Sequence, residues 1–143
     1  MKKALLDASS AILLFKSGMF DDLLGSYNII ITESVYDELT ANDHIGAKEF
    51  RNYRRSRGMG VQPSLKREGL NQLTFPDTSS LGKGERDTIH QFYNGVGHFI
   101  IIDDGKGAKY CRDNRIPYIN ALLFPRILFL THSISETGFN NKA

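Results

Sequence analysis

Apolar positions along this chain fall into two kinds of block. Lys3–Leu6, Asn28–Ile31, Phe99–Ile102 and Ile116–Ile119 are short, unbroken and rich in Leu or β-branched residues. Such runs predict strands buried on both faces, the signature of a parallel sheet. Between them, apolar residues recur with the 3.6-residue period of an amphipathic helix over Ser9–Lys16, Glu33–Thr40, Ile45–Arg57, Lys83–Tyr93, Gly105–Asn114 and Ala121–Leu130, the last interrupted by Pro125. Gly58–Pro63 and Phe75–Gly84 read as loops, and the polar tail after Thr131 is expected to fray from Asn140. Strands alternating with helices predict a three-layer α/β/α sandwich, an α/β fold with helices on both faces of a central parallel sheet. No internal repeat or low-complexity tract interrupts the pattern.

Composition narrows the class. The 143 residues suit a single domain, 1–143, in which 121–143 forms a C-terminal helical extension packed on the domain or on a partner. Hydrophobic residues at 41% and charged residues at 24% are ordinary for a globular protein, and a net charge of +2 is only a mild bias toward anionic partners. One cysteine, Cys111, cannot close an internal disulfide, which favours a reducing compartment. The N-terminus imitates a secretory signal, but Asp7 interrupts its apolar run and no small-residue cleavage site follows. No apolar run reaches the ~18–20 residues that span a bilayer. The chain reads as cytoplasmic, with no membrane partner.

The candidate chemistry lies in five acids at four places: Asp7, Glu38, Glu85 and the pair Asp103–Asp104. Carboxylates gathered without basic partners repel one another, so a cluster of them implies a hard divalent cation. Asp7 and Asp103 directly follow apolar runs, at the carboxyl ends of strands where open parallel sheets bind ligands. Asp7 can equally cap the helix that follows it. At 100° per residue, Glu38 lies about 80° from the apolar direction of its helix, while Asp37 points to solvent. Glu85 falls within about 30° of the apolar direction of its own helix, with Asp87 nearly opposite. A glutamate on an apolar stripe needs a metal or an inward Lys or Arg. Ser9 can support a carboxylate or a bound water, or only cap the first helix. None of His44, His90, His98 and His132 has metal-ligand spacing, and His90 reads as a surface residue.

In this order and context, Asp7-Ala8-Ser9, Val35-Tyr36-Asp37-Glu38-Leu39, Gly84-Glu85 and Ile102-Asp103-Asp104 resemble the PIN-domain family over residues 3 to about 120. The segment from Ile100 through Arg112, followed by Ile116-Pro117-Tyr118-Ile119, is similar to one prokaryotic branch of it. The resemblance implies a central sheet of about five strands. It also implies a ribonuclease dependent on magnesium or manganese (Mg²⁺ or Mn²⁺). Small members of that branch include VapC-type toxins of toxin–antitoxin pairs, which often dimerise, so an antitoxin protein and a second copy are implied partners. Asp7, Glu38, Glu85 and one of Asp103 and Asp104 match the family's acidic quartet. On this reading Asp7, Asp103 or Asp104, and Glu85 hold the metal, and Glu38 and Glu85 complete the shell or orient the attacking water. The chain departs from the family pattern at Arg86-Asp87-Thr88, where small apolar residues are usual, and at Ile102, where Thr or Ser is usual.

A carboxylate-held cation lowers the pKa of its bound water and neutralises phosphate oxygens, which is what phosphodiester hydrolysis requires. Positive charge for single-stranded or structured RNA concentrates between Lys48 and Arg67. Lys48, Arg51 and Arg55 share one helix face there, as an RNA-binding stripe or as a solvated surface. A haloacid-dehalogenase-type phosphohydrolase would want an aspartate where Ser9 stands, and a response-regulator receiver would carry its acid pair near the first strand. The remaining alternative is a catalytically silent nucleic-acid- or protein-binding domain that keeps the fold.

Overall fold

The computed structural model describes residues 1–41, 44–103 and 105–123. Its centre is a five-stranded sheet of β1 (Lys3–Leu6), β2 (Asn28–Thr32), β3 (Gly60–Gln62), β4 (Phe99–Ile102) and β5 (Tyr118–Asn120). The order is β3-β2-β1-β4-β5 and every pairing is parallel. Seven helices flank it among the described residues: α1 (Ala8–Lys16), α2 (Phe20–Ser26), α3 (Glu33–Leu39), α4 (Ala47–Ser56), α5 (Arg67–Asn71), α6 (Lys83–Tyr93) and α7 (Lys106–Asp113). The α/β/α sandwich with a parallel sheet is therefore the fold, and no helix among the described residues is long and apolar enough to cross a membrane.

Strand alternation divides the core in two. Ala4, Leu6, Ile29, Ile31, Phe99 and Ile101 face one layer, where Ala11, Leu14, Phe20, Leu23, Val35, Leu39 and Phe50 close over them. Leu5, Ile100 and Ile102 face the other, packed against Ile89, Ala108, Tyr110 and Cys111. Every residue of β4 is buried, as a strand covered on both faces must be.

Several expectations change. Gly58–Pro63 is not only loop, because Gly60–Gln62 pairs with β2 as an edge strand. The last strand sits two residues later than its apolar run, since Tyr118 rather than Ile116 pairs with Ile100. Helix α4 begins at Ala47 rather than Ile45, because Gly46 enters it with φ +86°. Helices α2 and α5 were not anticipated. Of the helix expected over Ala121–Leu130, Ala121–Leu123 is a 3-10 turn, and 124–143 lies outside the described residues.

Candidate functional site

Strand order reverses at β1: β2 and β3 lie to one side of it, β4 and β5 to the other. The carboxyl edge at such a reversal is where α/β sheets open a crevice. Asp7 and Asp103 stand there on neighbouring strands. Leu6 is paired with Ile101, and the Asp7 N–H donates to the Ile101 carbonyl at 3.4 Å.

Asp7 is only 3% exposed. It caps α1, its Oδ1 accepting from the Ser10 N–H at 3.0 Å. Hydrogen bonds of that kind lower a carboxyl pKa, yet burial outweighs them, with Asp103 and Glu85 adding repulsion, and the pKa is pushed up from 3.8 to about 6. The cap and the acid cluster are thus properties of one side chain.

A cleft of about 410 Å³ opens beside it, lined by Asp7, Ala8, Ser9, Ser34, Glu38, Gly82, Lys83, Gly84 and Glu85. Glu38 is exposed at the rim, and Ser9 is an exposed residue of α1 facing the same space. Glu85 is half-buried, and both of its oxygens meet backbone: Oε1 accepts from the Gly82 N–H at 3.2 Å and Oε2 from the Gly107 N–H at 3.2 Å. Asp103 is half-buried at the end of β4, while Asp104 lies outside the described residues. Asp87, expected in solvent, is instead half-buried and accepts from Ser64 Oγ at 3.3 Å.

The donors here are hard carboxylate and hydroxyl oxygens, which suit Mg²⁺ or Mn²⁺. The ion pairs found among the described residues, Arg57–Asp21 and Lys109–Asp113, leave Asp7, Glu38 and Glu85 uncompensated. In that respect the residues fit a divalent cation. Among the described residues, no three acidic, His or Cys side chains converge closely enough to ligate one ion together. Among the described residues, no histidine lines the cleft. His98 Nδ1 accepts from the Lys3 N–H at 2.9 Å, and His90, half-buried rather than on the surface, pairs with Thr78 Oγ1 at 3.1 Å and packs on Phe75. Cys111 is buried and its thiol is pushed up to about 11 by desolvation, so it is no ready nucleophile or soft ligand.

Sequence reasoning missed Ser34 and Lys83. Ser34 stands two residues after Thr32, whose Oγ1 caps α3 by accepting from the Val35 N–H at 3.3 Å and lies 3.1 Å from Ser34 Oγ. Lys83 is the first residue of α6, directly after Gly82; its place two residues before Glu85 in sequence was the available signal.

Lys48, Arg51 and Arg55 are all exposed on α4. They line a separate groove of about 490 Å³ with Tyr53, Arg57 and Asp21, and no described residue lines both this groove and the acidic cleft. Part of the charge is already engaged: Arg51 Nη2 donates to the Thr40 carbonyl at 2.7 Å, and Arg57 pairs with Asp21 at 3.1 Å.

A family model described as a PIN domain matches residues 3–124. No curated protein matches the chain.

Proposed function

We propose, from the premise that the chain belongs to the PIN-domain family, that it is a metal-dependent endoribonuclease using Mg²⁺ or Mn²⁺. The observation that carries this reading is Asp7, a desolvated carboxylate repelled by Asp103 and Glu85 at the point where strand order reverses. An acid pushed up to about 6, with no ion pair to Asp7 among the described residues, is a site whose charge is meant to be matched by a ligand. Asp7 and Asp103, with Asp104, are the proposed ion-holding residues, and Glu85 supports them. Glu38 at the rim orients water, and Ser9 and Ser34 offer hydroxyls along the same wall. When bound, the cation supplies water acidification and phosphate neutralisation. On this reading Lys83, in the cleft lining, meets a phosphate oxygen, and the Lys48, Arg51 and Arg55 stripe tracks the RNA backbone.

Within the family, the similarity of the β4–β5 segment to a prokaryotic branch supports a VapC-like toxin, with an antitoxin protein, a second copy of the chain and a cytoplasmic setting. A second reading has its own support. Both oxygens of Glu85 are taken by backbone N–H groups, and no three described donors converge, as a catalytically silent binding domain would have it.

The deciding assay is cleavage of a single-stranded RNA pool with Mn²⁺ or Mg²⁺, with EDTA and Asp7→Asn as controls. Cutting abolished by both controls is the expected result. RNA binding without cutting, in protein that Mn²⁺ does not stabilise, would hand the site to the silent reading.

A further inference from the structure

Glu85 is expected from its position in the acid cluster to be a ligand, but its surroundings describe a different task. The N-cap of helix α6 is Gly82, which has no side chain to cap it, and Glu85 reaches back to the Gly82 N–H. The N-cap of helix α7 is Gly105, also without a side chain and at φ +133°. A capping side chain accepts from one of the first free N–H groups of its helix. In α7 that N–H belongs to Gly107, and its acceptor is Glu85 Oε2, from 22 residues earlier in the chain. One carboxylate therefore caps two helices.

Gly107 is shaped for this arrangement. It is buried, and a Cβ there would lie 2.8 Å from Glu85 Oε2 and would run into Ile102 Cδ1. The glycine is needed for space, since only a bare backbone lets the carboxylate approach the N–H. Between Ile102 and Lys106 runs the short segment that carries Asp103. Strand β4 anchors one end of that segment and the Glu85–Gly107 contact anchors the other.

We propose that Glu85 is a positioning residue: it clamps the start of α7 to the start of α6 and thereby fixes Asp103 for the ion. The clamp stands without the metal; its effect on the ion rests on the nuclease reading above. Two measurements test them apart.

In EDTA, amide hydrogen exchange at Gly107 should quicken roughly tenfold or more in Glu85→Ala, because a bond from a charged acceptor is lost. Glu85→Gln, whose amide offers one acceptor oxygen, should fall between. Unchanged Gly107 exchange in both variants overturns the clamp.

With Mn²⁺, titration calorimetry should show affinity falling roughly tenfold or more in Gly107→Ala, which removes no donor atom, as supporting contacts around metal sites commonly do. Phe50→Leu, in the opposite core layer, sets the effect of general destabilisation and should leave affinity unchanged. Equal losses in both, or none in Gly107→Ala, overturn the positioning role. A wild-type protein that takes up no Mn²⁺ would overturn the nuclease reading and the positioning role with it, while the exchange data still judge the clamp.

Discussion

Asp7 joins a helix cap to a carboxylate that is costly to ionise, and the two jobs respond differently to substitution. Its folded pKa of about 6 lies above the unfolded 3.8, so the stability it contributes is complete below the lower value and is lost as pH rises through the upper one. That difference corresponds to about 3 kcal/mol. In EDTA the melting temperature should therefore fall between about pH 4 and pH 6, with thermal unfolding across a buffer series as the check; a flat profile would mean that Asp7 is not desolvated. Asn caps a helix as well as Asp does but carries no charge. Asp7→Asn should thus melt higher than the natural protein in EDTA at pH 7, and should lose the rise that Mn²⁺ gives the natural protein by linkage. An equal Mn²⁺ rise in both would place the ion elsewhere. This residue was legible because Leu5-Leu6-Asp7 reads at once as a strand end and a helix start. Its partnership with Glu85 was legible only as helix geometry, and that geometry says which way a side chain points but not which backbone N–H will meet it.

Among elements, those the sequence hid are short and lie at edges. Strand β3 has three residues, Gly60-Val61-Gln62, all half-buried, and Pro63 follows at once. It has no apolar run because an edge strand is not covered on both faces, and the proline is tolerated there. Helix α2 carries Phe20, Leu23 and Leu24 at helical spacing, but seven residues give too little period to separate from a loop. Its place is set by tertiary packing: Phe20 stacks on Tyr53 at 4.6 Å between ring centroids and meets Phe50 edge-on at 5.4 Å. The entry to α4 depends on Gly46, where φ is +86° and a Cβ would lie 2.8 Å from Phe15 Cε2. Gly95 has a similar φ of +81° with open space around it. Left-handed backbone costs a non-glycine residue roughly 1–2 kcal/mol, so Gly95→Ala should lose about that much and Gly46→Ala distinctly more. Urea midpoints compare them, and equal losses would mean that the Phe15 contact gives way freely.

At the scale of the molecule, acid and base are kept apart. The cleft at the sheet edge carries the carboxylates and α4 carries the basic groove, with no lining residue shared among the described residues. The fold class was legible because buried parallel strands leave unbroken apolar runs; the separation of the two charged regions was not, because it arises from packing α4 against α1 and α3. If the groove tracks RNA, replacing Lys48, Arg51 and Arg55 together by Ala should flatten the dependence of log K on log salt by roughly 2 for a single strand. Fluorescence anisotropy over a salt series measures this, and an unchanged slope would make the stripe an ordinary solvated face. Arg51 also holds the Thr40 carbonyl, so each variant is first matched for melting temperature.

The position of β1 also gives the site a history. This central strand is synthesised first, yet its neighbour β4 follows about a hundred residues later. At roughly 5–20 residues per second of translation, Asp7 precedes Asp103 by some 5–20 s. Until then Ala4, Leu5 and Leu6 present an unpaired edge on the growing chain, open to association with other chains. A product ending before Phe99 carries every named lining residue of the cleft but lacks β4 and Asp103, so Asp7 meets its acidic neighbour only once β4 has been made.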